Sequence, residues 1–277
     1  MTPIAGLESG AAEIMLENSR LIAGWSVQAR NIHALMLRDL MTRYGRDNIG
    51  FLWVVLEPMI LTVGVMIVWS LGAGGAKAGV TIVEFVLTGY MPLTVWRHMT
   101  NPTVMLFRRS VPLLYHRQIS LLDILFAKHA LEFLGTSAAL VFVMGTLSLA
   151  GMISPIQRLD LFMLGWLMMG VLAMAGGALL AAATERWEVA ERFVQPSQYL
   201  MVPLSGCFFL ADWVPSWGRD ILLLNPMVHC FEVFRAGYFG SSLTFHYDLA
   251  YFWTCAFILL FLGLLSVSRA RRWLILS

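Results

Sequence analysis

Charge is what this chain has least of. Asp, Glu, Lys and Arg make up 13% of its 277 residues, about half of the roughly 25% usual in soluble domains. That excludes a fold wetted on every side. It also excludes a nucleic-acid module, since no basic segment stands apart from the hydrophobic runs. Cysteine is scarce as well: Cys207, Cys230 and Cys255 are far apart and in apolar surroundings. They form neither a disulfide framework nor a zinc spacing and read as small buried hydrophobes. No GxxxxGK(S/T) loop occurs, so the chain is not expected to hydrolyse ATP by itself. No HExxH motif or close His/Cys group argues for a metal, and the scattered Ser, His and Asp residues make no nucleophilic site. Residues 1–27 lack the basic-then-apolar order of a secretion signal and are expected to be a flexible cytoplasmic tail.

What is abundant is hydrocarbon: 58% of residues are hydrophobic and the mean hydropathy is +0.73, the composition of an all-α polytopic membrane protein. The chain is organised around residues 28–58, QARNIHALMLRDLMTRYGRDNIGFLWVVLEP. On a helical wheel His33, Met36, Leu37, Leu40, Met41 and Tyr44 share one face, with Asn31, Arg38, Asp39, Thr42 and Arg46 opposite. The spacing predicts an amphipathic helix over 28–48 lying along a membrane surface. Arg20, Arg30, Arg38, Arg43 and Arg46 place that surface on the cytoplasmic side.

Six spans are expected within a transmembrane domain over 49–268. The first, 52–71, matches a hydrocarbon layer of about 30 Å at 1.5 Å per residue, and Glu57 and Pro58 interrupt its inner end. The second, 83–107, is broken by Gly89, Pro92, Arg97, His98 and Pro102, as befits a helix lining protein or water; a kinked structural helix is the alternative. Residues 108–120 form a cytoplasmic coupling region with a short helical pattern around 113–125, suited to contact with a soluble motor, or else a basic loop touching anionic lipid. Spans three and four cover 121–150 and 159–183, the latter rich in small residues that let helices approach. Residues 184–195 read as a cytoplasmic segment in which Glu188 and Arg192 can pair. The fifth span starts near 199 and is short, and 214–240 is expected to be re-entrant from the outside. The last, 249–267, precedes a cytoplasmic C-terminus, 269–277. Of 19 Lys and Arg residues, Lys77, Arg158, Arg219 and Arg235 fall outside and Arg97 within a span, leaving the other 14 inside, as the positive-inside bias requires.

Polar breaks at Glu57, Arg97, His98 and Asn225 suggest a path through the membrane. Arg38, Arg43 and Arg46 would draw an anionic group to its inner mouth, and Trp53, Tyr90 and Trp96 would offer rings on which sugars slide. For each ring alone, an interfacial belt is the simpler reading.

The run LRDLMTRYGRDNIGFLWVVLEPM, residues 37–59, with Arg38, Arg43, Tyr44, Gly50, Trp53, Glu57 and Pro58, resembles the opening motif of ABC-2 membrane subunits, specifically capsular and O-antigen polysaccharide exporters. LLNPMVHCFEVFRAGYFG, residues 223–240, is similar to that family's external Asn-Pro segment, with Asn225, Pro226, Glu232 and Arg235 in order. The resemblance covers nearly the whole chain and looks closest to the capsule-export permease of Gram-negative bacteria. It implies a homodimeric, non-catalytic permease of the bacterial inner membrane that binds no cofactor. Two cytoplasmic ATPase subunits would hold ATP and Mg, and a periplasmic co-polymerase-like protein and an outer-membrane channel would receive a lipid-linked acidic polysaccharide. It also implies a gate helix at 30–44, coupling through Arg109, Pro112, Leu113, Tyr115, His116 and Arg117, and an outer gate at Asn225, Pro226, Glu232 and Arg235. The runner-up is an ABC-2 permease for O-antigen, another lipid or a drug; a membrane transferase would need clustered catalytic groups.

Overall fold

The computed structural model describes residues 24–42, 60, 80–114 and 119–274, with side chains to Ala270. The first predicted span apart from Ile60, together with Arg43, Tyr44, Arg46, Trp53, Glu57, Tyr115, His116 and Arg117, lies outside the described residues. The described part is all helical. Helix α1 (24–42) is followed by α2 (Ile82–Thr100), a 3-10 turn (Asn101–Thr103), and the single turns α3 (Leu106–Arg109) and α4 (Val111–Leu114). Then come the long helices α5 (Leu121–Leu149) and α6 (Leu159–Arg186), then α7 (Glu188–Leu204), a second 3-10 turn (Ala211–Trp213), α8 (Ser216–Leu222), α9 (Pro226–Phe239) and α10 (Leu249–Leu274).

Local sequence sets these boundaries. Thr81 and Glu84 close a capping box at the start of α2, and Ser120 and Asp123 close another at the start of α5, each satisfying amide groups that a helix leaves open at its first turn. α2 continues past Pro92 and ends at Thr100 instead of near 107, and the chain beyond it turns at Met105, whose φ of 52° is left-handed. Pro102 sits in the 3-10 turn that follows, where its missing amide costs nothing.

Among the described residues three helices are long and apolar enough to cross a bilayer: Leu121–Leu149, Leu159–Arg186 and Leu249–Ala270. These correspond to the predicted spans three, four and six. Residues 184–195, expected to be a cytoplasmic segment, are helical on both sides of Trp187. α6 continues to Arg186, bends at Trp187, and α7 starts at Glu188 and runs through Pro196 to Leu204. Its charges decorate an amphipathic helix whose inner face carries Val194 and Gln198. The expected fifth span is therefore the second half of α7, and Cys207 to Phe209 form a turn.

α6 is the central element, lying against α10, α9 and α2. Without water between helices in lipid, close approach of small residues drives association. At Gly165 and Gly237 the α6–α9 crossing is so tight that a Cβ would meet the Phe234 and Phe162 backbones respectively. Around it, the Phe162 and Phe234 rings pack at a 31° tilt with centroids 4.1 Å apart, and Trp166 donates to Ser137 on α5 at 2.9 Å. A second apolar cluster joins Leu35 of α1 to Leu106, Phe107, Leu121 and Leu125, and to Val267 and Ala270 of α10. The amphipathic helix and the end of the last helix thus sit at one end of the bundle. Glu84, Ser154 and Tyr238 meet at the other.

Candidate functional site

Four constellations of polar side chains organise the bundle. The first ties α1 to the long helices. Arg38 contacts Asp39 at 2.8 Å, Asp39 meets Lys128 at 3.4 Å, Lys128 meets Glu132 at 3.6 Å, and His98 lies 3.7 Å from Glu132. Gln28 donates to Asp123 at 3.1 Å. Glu132 is 5% exposed and sits in the fourth turn of α5, where a carboxylate inside a span must be partnered. Beneath α1 a cleft of about 590 Å³ opens between α1, α5 and α6, with Trp25, Ile32, Phe126, Phe133 and Met174 among its walls.

The second constellation holds the inner half of α2. The Trp96 indole donates to Gln198 of α7 at 2.8 Å, and the Gln198 amide donates to Thr100 at 2.7 Å. The Trp96 ring lies over Gly176, where a Cβ would meet it at 2.7 Å. Tyr90 is buried in the main core. These two rings are engaged in helix packing within one chain. Arg97 is half-buried, its guanidinium 5.8 Å from the centre of the Tyr199 ring.

The third lies at the predicted coupling region. Met105 donates its amide to Thr184 at 3.1 Å, and the amides of Phe107 and Arg108 both donate to Glu185 at 3.0 Å. Arg108 also reaches Glu185 at 3.5 Å and Glu188 at 3.6 Å, so Glu188 turns to α3, not to Arg192. The end of α6 thereby caps the start of α3. Beyond this cap Arg109, Val111 and Pro112 are exposed and Leu113 is half-buried.

The fourth is the Asn-Pro segment. Asn225 caps α9, accepting from Met227 at 3.0 Å while its amide donates to Leu204 at 3.0 Å, and Pro226 occupies the first turn. Glu232 accepts from Ala211 at 3.1 Å and His246 at 2.9 Å. Arg235 is fully buried and donates to the carbonyls of Gly206 (2.7 Å), Cys207 (2.5 Å) and Phe209 (2.7 Å), with its guanidinium 4.4 Å from the Phe85 ring centre. All of α9 from Met227 to Phe239 is buried, and at 14 residues it is about 21 Å long, too short to span.

Sequence reasoning singled out neither Lys128, Glu132 and Glu84 nor Glu185 and Gln198. The signal for the first pair was present: opposite charges four apart inside an apolar run. Glu84 accepts from the Ser154 amide at 2.7 Å and from Tyr238 at 3.2 Å, partners that only the fold brings together. Among the described residues no group of His, Cys, Asp or Glu is arranged to hold a metal.

A sequence model of the ABC-2 type transporter family matches residues 30–239. The capsule polysaccharide export inner-membrane protein CtrC of Neisseria meningitidis serogroup A is 35% identical over 254 residues, covering 92% of this chain and 96% of that protein. The corresponding protein BexB of Haemophilus influenzae is 32% identical over 243 residues, with 88% and 92% covered. The polysialic acid transport protein KpsM of Escherichia coli is 25% identical over 259 residues, with 90% and 96% covered.

Proposed function

This chain belongs to the ABC-2 type transporter family, and from that premise we propose that it is the non-catalytic permease subunit of an ATP-driven exporter that moves lipid-linked capsular polysaccharide across the inner membrane. The observation that carries this reading is end-to-end similarity, at 35% identity over 92% of the chain, to a protein named for capsule polysaccharide export. The chain works as a homodimer with two cytoplasmic ATPase subunits that bind ATP and Mg. A periplasmic co-polymerase-like protein and an outer-membrane channel take the polymer onward. Both chain ends face the cytoplasm, a reading supported by the charge bias and by the shared end of α1 and α10.

In this reading Arg38, Arg43, Tyr44, Arg46, Trp53 and Glu57 form the inner mouth, where the guanidinium groups draw in the anionic anchor. Arg97 and Tyr199 extend this surface. Tyr90 and Trp96 shape α2 from within. Arg109, Pro112, Leu113, Tyr115, His116 and Arg117 take the push of the ATPase, a role suited to the exposed tip after Met105. Asn225, Pro226, Glu232 and Arg235 hold the outer gate in register. Sugar units slide past without a deep site, because tight binding opposes processive movement.

Removing this subunit from its native cell tests the reading. Lipid-linked polymer accumulates at the inner membrane and the cell surface loses its capsule, both restored by the intact chain. Accumulation of a small lipid with a normal capsule would favour the alternative of an ABC-2 permease for another lipid or a drug, an alternative to which the apolar cleft under α1 lends support. O-antigen accumulation would transfer the same mechanism to a different polymer.

A further inference from the structure

The contacts that seat α1 differ in kind from those that hold α9. Arg235 sends all its hydrogen bonds to the loop at Gly206, Cys207 and Phe209, so α9 and that loop cannot part without leaving a buried guanidinium unsatisfied. At α1 the charges are paired on each side of the junction. Arg38 neutralises Asp39 within α1 at 2.8 Å, and Lys128 neutralises Glu132 within α5 at 3.6 Å. Asp39 to Lys128, at 3.4 Å, joins the two pairs. If that contact opens, Asp39 keeps Arg38 and Lys128 keeps Glu132, so no charge is stranded in a dry site.

Apolar contact at α1 is correspondingly light. Leu35 is its one fully buried residue, while Trp25, Leu37, Leu40 and Met41 are exposed. The cleft of about 590 Å³ leaves the N-terminal half of α1 bridging open space above α5 and α6. Little surface has to be re-exposed for the helix to lift.

The geometry points to α1 being a releasable strap, fastened in this structure by Asp39 on Lys128 and by Gln28 on Asp123 and lifted from α5 during the transport cycle, with Asp39 as its positioning residue. Lifting α1 opens its own contacts to α5 and leaves Lys128 and His98 on Glu132, so α2 keeps its place while the strap moves. The inference rests on reading this chain as an exporter permease, and it adds the part that must unfasten.

Hydrogen–deuterium exchange of residues 24–42 tests it, in lipid nanodiscs, first on the subunit alone and then on the complex with its ATPase partner. Asp39→Asn removes the ionic fastening and leaves Gln28 on Asp123 and Lys128 on Glu132. It raises α1 amide exchange roughly threefold or more without changing α5 and α6, whereas Asp39→Glu keeps wild-type protection. In the complex, trapping with ATP and vanadate raises exchange in wild-type α1 to the level of D39N. Equal α1 exchange in D39N and wild type, or equal exchange in free and trapped wild-type complex, overturns the strap. Failure of the export reading shows elsewhere, as capsule that persists in cells lacking the subunit, and is independent of α1 exchange.

Discussion

Glu232 and Arg235, three residues apart on α9, grip complementary groups of the same connecting loop. The carboxylate takes the Ala211 amide, and the guanidinium takes three carbonyls between Gly206 and Phe209. One short helix thus satisfies both the donors and the acceptors of a turn that has no regular partner at that depth. The charges predicted to stand at an outer gate are therefore engaged as internal fixings of the 206–211 loop.

Arg235→Ala should cost about 3–5 kcal/mol, the usual penalty for breaking a buried charge arrangement. Arg235→Lys should recover little, because an ammonium lacks the planar fork that reaches several carbonyls. Thermal unfolding in detergent checks this, with an expected drop on the order of 10 °C for both variants. Near-wild-type melting of R235K would show that charge alone is enough there.

Adding a methyl group separates tight crossings from open ones. Gly237→Ala and Gly165→Ala force α9 off α6 and should each destabilise by about 1–3 kcal/mol. Gly135→Ala, where a Cβ meets nothing within 4 Å, should be neutral or slightly stabilising. The same melting assay gives the comparison, and equal effects at all three positions would contradict the crossing geometry.

Glu185→Gln keeps a hydrogen-bond acceptor for the Phe107 and Arg108 amides but removes the charge facing Arg108, whereas Glu185→Ala removes both. Capsule export should fall in the order wild type, glutamine, alanine, with alanine at least tenfold down, a loss of about 1.4 kcal/mol or more in coupling. ATP hydrolysis by the assembled complex should persist in both. Loss of ATPase assembly would instead make Glu185 a docking residue.

Arg43→Ala with Arg46→Ala should lower capsule export while leaving membrane insertion intact, since each arginine near the surface attracts anionic groups by about 1 kcal/mol. Export and insertion are measured in the same cells. Normal export would remove both residues from the inner mouth.

Much of this fold is legible in the chain as written. The hydrophobic runs of α5, α6 and α10 are unambiguous, and the Ser120–Asp123 box marks the start of α5 to the residue. The spacing of Glu188 and Arg192 fits a helix, but the run of α7 on to Leu204 is hidden because Pro196 and Pro203 fall within it. Asn225 and Pro226 announce a helix start. The partners of Glu232 and Arg235 do not, because backbone groups 14 to 29 residues away carry no side-chain signature. The Trp96 ring reads as free in the sequence, since nothing in it says that Gly176 and Gln198 will claim it.

The seal that Glu185 makes over α3 gives the molecule a lever. The end of α6 and the tip at 106–114 cannot separate without baring two amides, and from that joint α6 extends about 42 Å at 1.5 Å per residue. Its far end presses on α9 through the bare backbone at Gly165 and Gly237. A tilt of about 5° at the near end sweeps the far end by about 4 Å, comparable to the thickness of a sugar ring.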